Sequence, residues 1–289
     1  MKRLSLFPLF LLLGLLTTGC GIIWTSPAYY TPSAEVELLA PIMSREGYDS
    51  VHAYFTRPYI VYIEGERSAL VFGASHTKDP DDPQFAKIDS LWHAFNPDAA
   101  LVEGRLGFLL KGLMDPVVNH GEGGYVYNLA RQKGIEVYSW DPAIDQDVKN
   151  TLRYYTPRQT ALFYVLRPYF SNIRFGKPDD PDAFVEEFRA KRTKIPGLEG
   201  SLNSIAEIDS IWAADFKGLP DWRETSDAYG LPLYLGSIAA LSNNYRDEHF
   251  VKTIADLTKK GKRVFAVAGS SHAVKIEKSL KETLSSKQP

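Results

Sequence analysis

Val264-Phe265-Ala266-Val267-Ala268-Gly269-Ser270-Ser271-His272 is an unbroken apolar run that stops at a glycine, crosses two serines and delivers an imidazole. Leu70-Val71-Phe72-Gly73-Ala74-Ser75-His76 repeats the arrangement about 200 residues earlier, so each run ends in a Gly-x-x-His turn. Apolar runs this short and continuous read as strands covered on both faces, as in a mainly parallel sheet flanked by helices. A small-residue turn lets the backbone bend sharply after such a strand. The histidine then projects past the sheet edge where ligands of open α/β sheets bind.

Working outward, Pro58 to Glu64 and Ser68 to Ser75 are apolar runs separated by Gly65-Glu66-Arg67, which predicts a hairpin leading into the first turn. Asp82-Pro83 supplies an N-cap and an N1 proline for a helix whose buried stripe is Phe85, Ile88, Leu91/Trp92 and Phe95, ending at Asn96-Pro97. Asp98 to Glu103 reads as a short central strand ending on a carboxylate. Tyr125 to Lys133 reads as a helix closed by Gly134, and Ile135 to Trp140 as a strand that reaches Asp141-Pro142. Strand and helix alternate, so the expected fold is α/β with a mainly parallel sheet.

From about Gln146 to Ser242 the pattern changes to aromatic-rich helices, with starts at Thr156-Pro157, Asp180-Pro181 and Ser201, and no convincing strand. This stretch, about 146–242, is expected to be a helical insertion packed over the strand ends of a single α/β domain spanning 46–289, with an independent lobe as the alternative. Asp247 to Lys260 forms a further amphipathic helix, Arg263 to Ala268 the last strand, and Ala273 to Leu284 a final helix.

The amino terminus carries Lys2 and Arg3 ahead of the apolar segment Leu4 to Leu16, and Met1 to Gly19 reads as a secretory signal too short for a membrane span. Leu16-Thr17-Thr18-Gly19-Cys20 resembles a bacterial lipobox, which implies cleavage before Cys20 and its acylation. Three acyl chains would anchor the protein stably. Gly21, rather than Asp, follows the cysteine, which by resemblance to enterobacterial sorting implies the outer membrane, facing the periplasm. Residues 20–45, with Pro27, Pro32 and Pro41 and little periodicity, are expected to be a tether.

Without Lys2 and Arg3, 31 basic residues face 35 acidic ones, a balance of about −4. No basic footprint for nucleic acid exists. Cys20 is the single cysteine, so the exported body has no disulfide and is held by its core.

His76, Glu103, Asp141 and His272 are all predicted at carboxyl ends of strands, and in a parallel sheet those ends share one edge. Two imidazoles with one or two carboxylates are a ligand set for a divalent metal that keeps an open position for water. The same set without metal suits an imidazole, oriented by a carboxylate, that deprotonates water for attack on an ester, lactone or amide carbonyl. Spacing does not choose between them. Each residue also has a structural role open to it: a histidine after a strand can cap a helix, Glu103 can pair with Arg105, and Asp141 can serve the turn at Pro142. His120-Gly121-Glu122-Gly123-Gly124 reads as a flexible loop whose Glu122 enters the site or starts a helix. His52, His93 and His249 lack such context and are expected to be structural or at the surface.

Taken in order, Gly73-x-x-His76, Glu103, Asn244-Tyr245-Arg246-Asp247 and Val267-Ala268-Gly269-Ser270-Ser271-His272-Ala273 resemble the superfamily joining erythromycin esterases, ChaN-like haem-binding lipoproteins and TraB/GumN/Tiki proteins. The likeness spans most of the mature chain. It implies that His76, Glu103, Arg246 and His272 line one pocket, with Arg246 holding a carboxylate or stabilising an oxyanion. Tiki-like members imply divalent-metal peptidase chemistry on His76, Glu103 and His272, and esterase-like members imply histidine-activated water. The ChaN-like branch implies instead a pocket for haem or another iron complex without catalysis. A helix-start salt bridge with Asp247 or Glu248 is the structural role open to Arg246. The implied partners are a small-molecule or peptide substrate and, through Cys20, a membrane.

Overall fold

The computed structural model describes residues 23–173, 176–228 and 230–285; the signal segment and Cys20 lie outside the described residues. The chain divides into two compact units, Met1–Asp141 with Glu248–Pro289, and Pro142–Asp247.

The first unit holds a six-stranded sheet built from β2 (Ala28–Tyr29), β3 (Tyr59–Ile63), β4 (Ala69–Ala74), β5 (Ala99–Val102), β7 (Glu136–Ser139) and β8 (Val264–Gly269). Their order is β2-β7-β5-β8-β4-β3, parallel throughout except for the β3–β4 hairpin. Both faces are covered, and the central strands divide their side chains between two cores by strict alternation. Ala69, Val71, Ala99, Leu101, Val264, Ala266 and Ala268 face Phe250, Ile254, Ile276 and Leu280. Leu70, Phe72, Ala74, Ala100, Val102, Phe265 and Val267 face Phe85, Ile88, Trp92, Phe95, Val126 and Ala130. The first face is covered by the end of α8 (Leu233–Lys259) and by α9 (Ser270–Ser285), the second by α2 (Pro83–Phe95) and α3 (Pro116–Lys133). Each fully buried Leu, Ile or Phe contributes about 1.5–3 kcal/mol to that packing.

Caps form where the sequence provides them. Asp82 accepts from Gln84 N at the start of α2, which Asn96 closes in a left-handed conformation; Gly134 closes α3 in the same way. The expected tether is a correction. Residues 23–44 contribute β1 (Ile23–Thr25), antiparallel to β6 (Phe108–Leu110), and the edge strand β2, and they bury Trp24, Val36, Ala40 and Ile42 before α1 (Arg45–Val51) begins. Three prolines hide periodicity, but extended backbone between them still pairs at a sheet edge, where proline is tolerated. The stretch expected to be a loop at 120–124 lies inside α3, and α8 and α9 are longer than the periodicity suggests.

Among its described residues the second unit is built of α4 (Ile144–Thr151), α5 (Pro157–Asn172), α6 (Pro181–Arg192), α7 (Ile205–Asp215), one 3-10 turn and the first part of α8, with no strand. Thr156 and Gln159 form a reciprocal capping box at α5. Its core is a separate cluster that includes Leu162, Phe163, Leu166, Phe170, Ile208, Trp212 and Trp222. The expected single domain with an insertion is thus a sheet unit and a helical unit, each with its own core.

Candidate functional site

Within the sheet unit, β8 lies between β4 and β5, so their carboxyl ends are neighbours; Ala74 pairs with Gly269. Three of the expected residues gather here. Glu103, the first residue after β5, accepts the backbone N–H of Gly269 on Oε2 at 3.0 Å, and its Oε1 lies 3.7 Å from His272 Nε2. His272 is in the first turn of α9, nearly buried, with its ring edge-on to Trp140 at 5.2 Å between centroids. His76 reaches the same point from β4. A Cβ placed on Gly269 would stand 2.8 Å from His76 Nε2 and 3.8 Å from His272 Cδ2, so both imidazoles lie within 4 Å of one position and only glycine leaves His76 its place.

Glu122 completes the cluster. Its Oε1 lies 2.5 Å from His76 Nδ1, and its side chain is almost buried while that of His76 is half exposed. The backbone that delivers it is unusual: α3 is broken at Gly121, with φ 58° and ψ −145°, where a Cβ would meet Thr77 O at 2.8 Å. The kink brings the helix against the segment that carries His76. Of the two roles open to Glu122, entry into the site is the one its contact with His76 matches.

Asp141 serves the neighbouring turn: its Oδ2 accepts the N–H of Gly104 at 2.9 Å, holding the backbone that follows Glu103. Arg105 lies over the Tyr29 ring. Two residues unmarked by sequence support the cluster. Buried Gln84, in the first turn of α2, donates from Nε2 to Ser75 O at 2.8 Å and accepts from Ser75 N at 3.2 Å, clamping the residue before His76. Trp140 donates from Nε1 to Val267 O at 3.1 Å and stacks on Phe250 at 4.3 Å, which fixes the ring that His272 meets. A polar residue on the inward stripe of α2 was the available signal for Gln84; a tryptophan ending a strand was that for Trp140.

The remaining histidines have local roles. His249 is buried with Nδ1 2.7 Å from Trp140 O, and burial pushes its pKa down. His52 and His93 are exposed; His120 Nε2 lies 3.0 Å from Phe108 O.

Arg246 belongs to the helical unit. It is nearly buried there, with Nη1 donating to Asn243 Oδ1 at 3.1 Å, an oxygen that also accepts from Arg167 Nη2 at 3.3 Å. Arg167 Nη1 donates to Ser242, which donates to Asp147 Oδ2 at 2.7 Å. Burial raises the Asp147 pKa, an effect that Ser242 and the two arginines oppose.

No protein-family model, curated protein or solved structure matches this chain. Function is therefore argued from these side chains.

Proposed function

We propose that the sheet-edge cluster of His76, Glu122, Glu103 and His272 is a hydrolytic site for an ester, lactone or peptide bond, on a lipoprotein anchored through Cys20 to the outer membrane and facing the periplasm. The superfamily resemblance is in accord with it. The observation that carries the proposal is the Glu122–His76 pair, set beside His272 around Gly269.

The chemistry follows from proton placement. With Glu122 as acceptor, His76 Nδ1 holds its proton and Nε2 carries the lone pair, the tautomer a general base needs. Nε2 takes a proton from water as its oxygen attacks the carbonyl carbon, and returns it to the departing alkoxide or amine when the carbon–heteroatom bond breaks. His272, held by Trp140 and next to Glu103, is placed to hydrogen-bond the oxygen on which negative charge develops. Asp141 and Gln84 are positioning residues.

The resemblance also implies a divalent metal on His76, Glu103 and His272. As arranged, no three His, Cys, Asp or Glu side chains among the described residues form a group that could hold a metal ion. Glu103 Oε2 accepts from Gly269 N and His76 Nδ1 meets Glu122, so an ion would be held by the other atoms of the set, Glu103 Oε1 and Nε2 of His76 and of His272, and would supply an acidified water. No step is routed through it.

The test is turnover of ester, lactone and peptide panels by the full chain, with and without chelator. His76→Ala and Glu122→Gln are expected to lower kcat by about 10²–10⁴ and 10-fold or more, respectively, as loss of a general base and of its orienting group implies. Variants that turn over like wild type would overturn the site. A haem Soret band lost in His76→Ala, without turnover of any substrate by wild type, would favour the ligand-binding branch.

A further inference from the structure

We infer that the outer face of the β1–β6 ribbon rests on a phospholipid bilayer. The inference builds on the proposed acylation of Cys20. β1 and β6 pair in antiparallel register, with Trp24 opposite Leu109 and Ile23 opposite Leu110. Trp24 and Leu109 point inward onto Tyr127, at 5% and 2% exposure. Alternation turns Ile23, Phe108 and Leu110 to the other face, with the hydroxyl-bearing Thr25 beside Phe108. Ile23 is 54% exposed and Phe108 57%, and Leu113, in the turn that follows β6, is 79% exposed. An apolar face of this kind on a water-soluble surface marks an interaction site.

Chain length says what covers it. Three peptide units separate Cys20 from Ile23, and fully extended they span about 11 Å at most. Acyl chains on Cys20 begin at the bilayer surface, so β1 is held within roughly that distance of the headgroups however the unit turns. The face therefore lies within reach of the bilayer.

The test uses full-length lipoprotein reconstituted into vesicles of phosphatidylethanolamine and phosphatidylglycerol. Cys20 is the chain's single cysteine, so once it is acylated an added cysteine takes a nitroxide label alone. Labels at Leu113→Cys and, as a second position, Phe108→Cys are compared with Lys278→Cys, whose side chain is 74% exposed on α9. We expect the labels at 113 and 108 to be relaxed more by oxygen than by a water-soluble nickel chelate, and the label at 278 the reverse. A label at 113 and 108 as open to the chelate as that at 278 overturns the inference, and one shielded from both reagents assigns the face to a protein instead. Intact mass separates the two readings: an acylated chain with water-exposed labels overturns the bilayer face alone, whereas an unacylated Cys20 removes the anchor and the inference with it.

Discussion

A side chain as small as a methyl at Gly269 would occupy the point on which the two imidazoles converge. Its nearest neighbour there is the tip of His76, so a methyl turns the ring aside rather than forcing the backbone. Gly269→Ala is therefore expected to keep its melting temperature within a few degrees of wild type and to lose about 10²-fold in kcat, the scale of a 1 Å misplacement of a catalytic group. Differential scanning calorimetry beside steady-state kinetics checks both halves; full activity would mean that His76 Nε2 is not the reacting atom. His76, Glu103 and His272 were legible in the sequence because strand, small-residue turn and polar residue follow each other along the chain. Glu122 was legible only as one alternative, since the glycines around it mimic a loop. Gln84 carried one signal, its place on the inward stripe of α2, but its role was not legible: a polar residue in a helix's first turn looks solvated until the fold shows the backbone of Ser75 waiting for it.

At the scale of elements, the kink in α3 ties local geometry to the site. Gly121 holds a conformation that other residues adopt only at a cost of about 1–3 kcal/mol, and a Cβ there also presses on Thr77 O. Gly121→Ala is expected to lower unfolding free energy in urea by about that much, and to reduce turnover because Glu122 no longer meets His76. In an unkinked helix the same change would stabilise by about 1 kcal/mol, so a stabilised variant would refute the argument. The hairpin, β5, β7, β8 and α2 could be read from sequence because apolar run length, caps and glycines agreed. β1, β2 and β6 could not, because strands of two or three residues carry no periodicity, and their partners lie about 85 to 110 positions away.

For the whole molecule, the parallel sheet was legible because alternation along each strand serves two cores at once, and the change of pattern at 146–242 marked the helical stretch, but not whether it was an insertion in one domain or a unit of its own. Helix periodicity shows that an apolar face is buried but not against what, and the aromatic helices of 142–247 bury theirs against each other. The two units also carry buried titratable groups that act on stability with opposite sign. In the sheet unit, His249 has its pKa lowered by burial below the ordinary 6.5, so the unfolded chain binds more protons as pH falls through that value. Its contribution is complete above about 6.5 and is lost as pH falls toward its folded pKa. In the helical unit, Asp147 has its pKa raised by burial above 3.8, so the folded chain is the better proton binder; its contribution is complete below that value and is lost as pH rises through the folded pKa. Urea unfolding from pH 4 to 8 should then give two difference curves against wild type. Stability of His249→Gln relative to wild type should rise as pH falls below 6.5, because glutamine takes up no proton on unfolding. Stability of Asp147→Asn relative to wild type should rise with increasing pH, because asparagine leaves no carboxylate to be ionised out of water. Curves that run parallel to wild type across the range would show that neither group is buried in the state that unfolds, and curves of the same sign would show that burial is not what governs one of them.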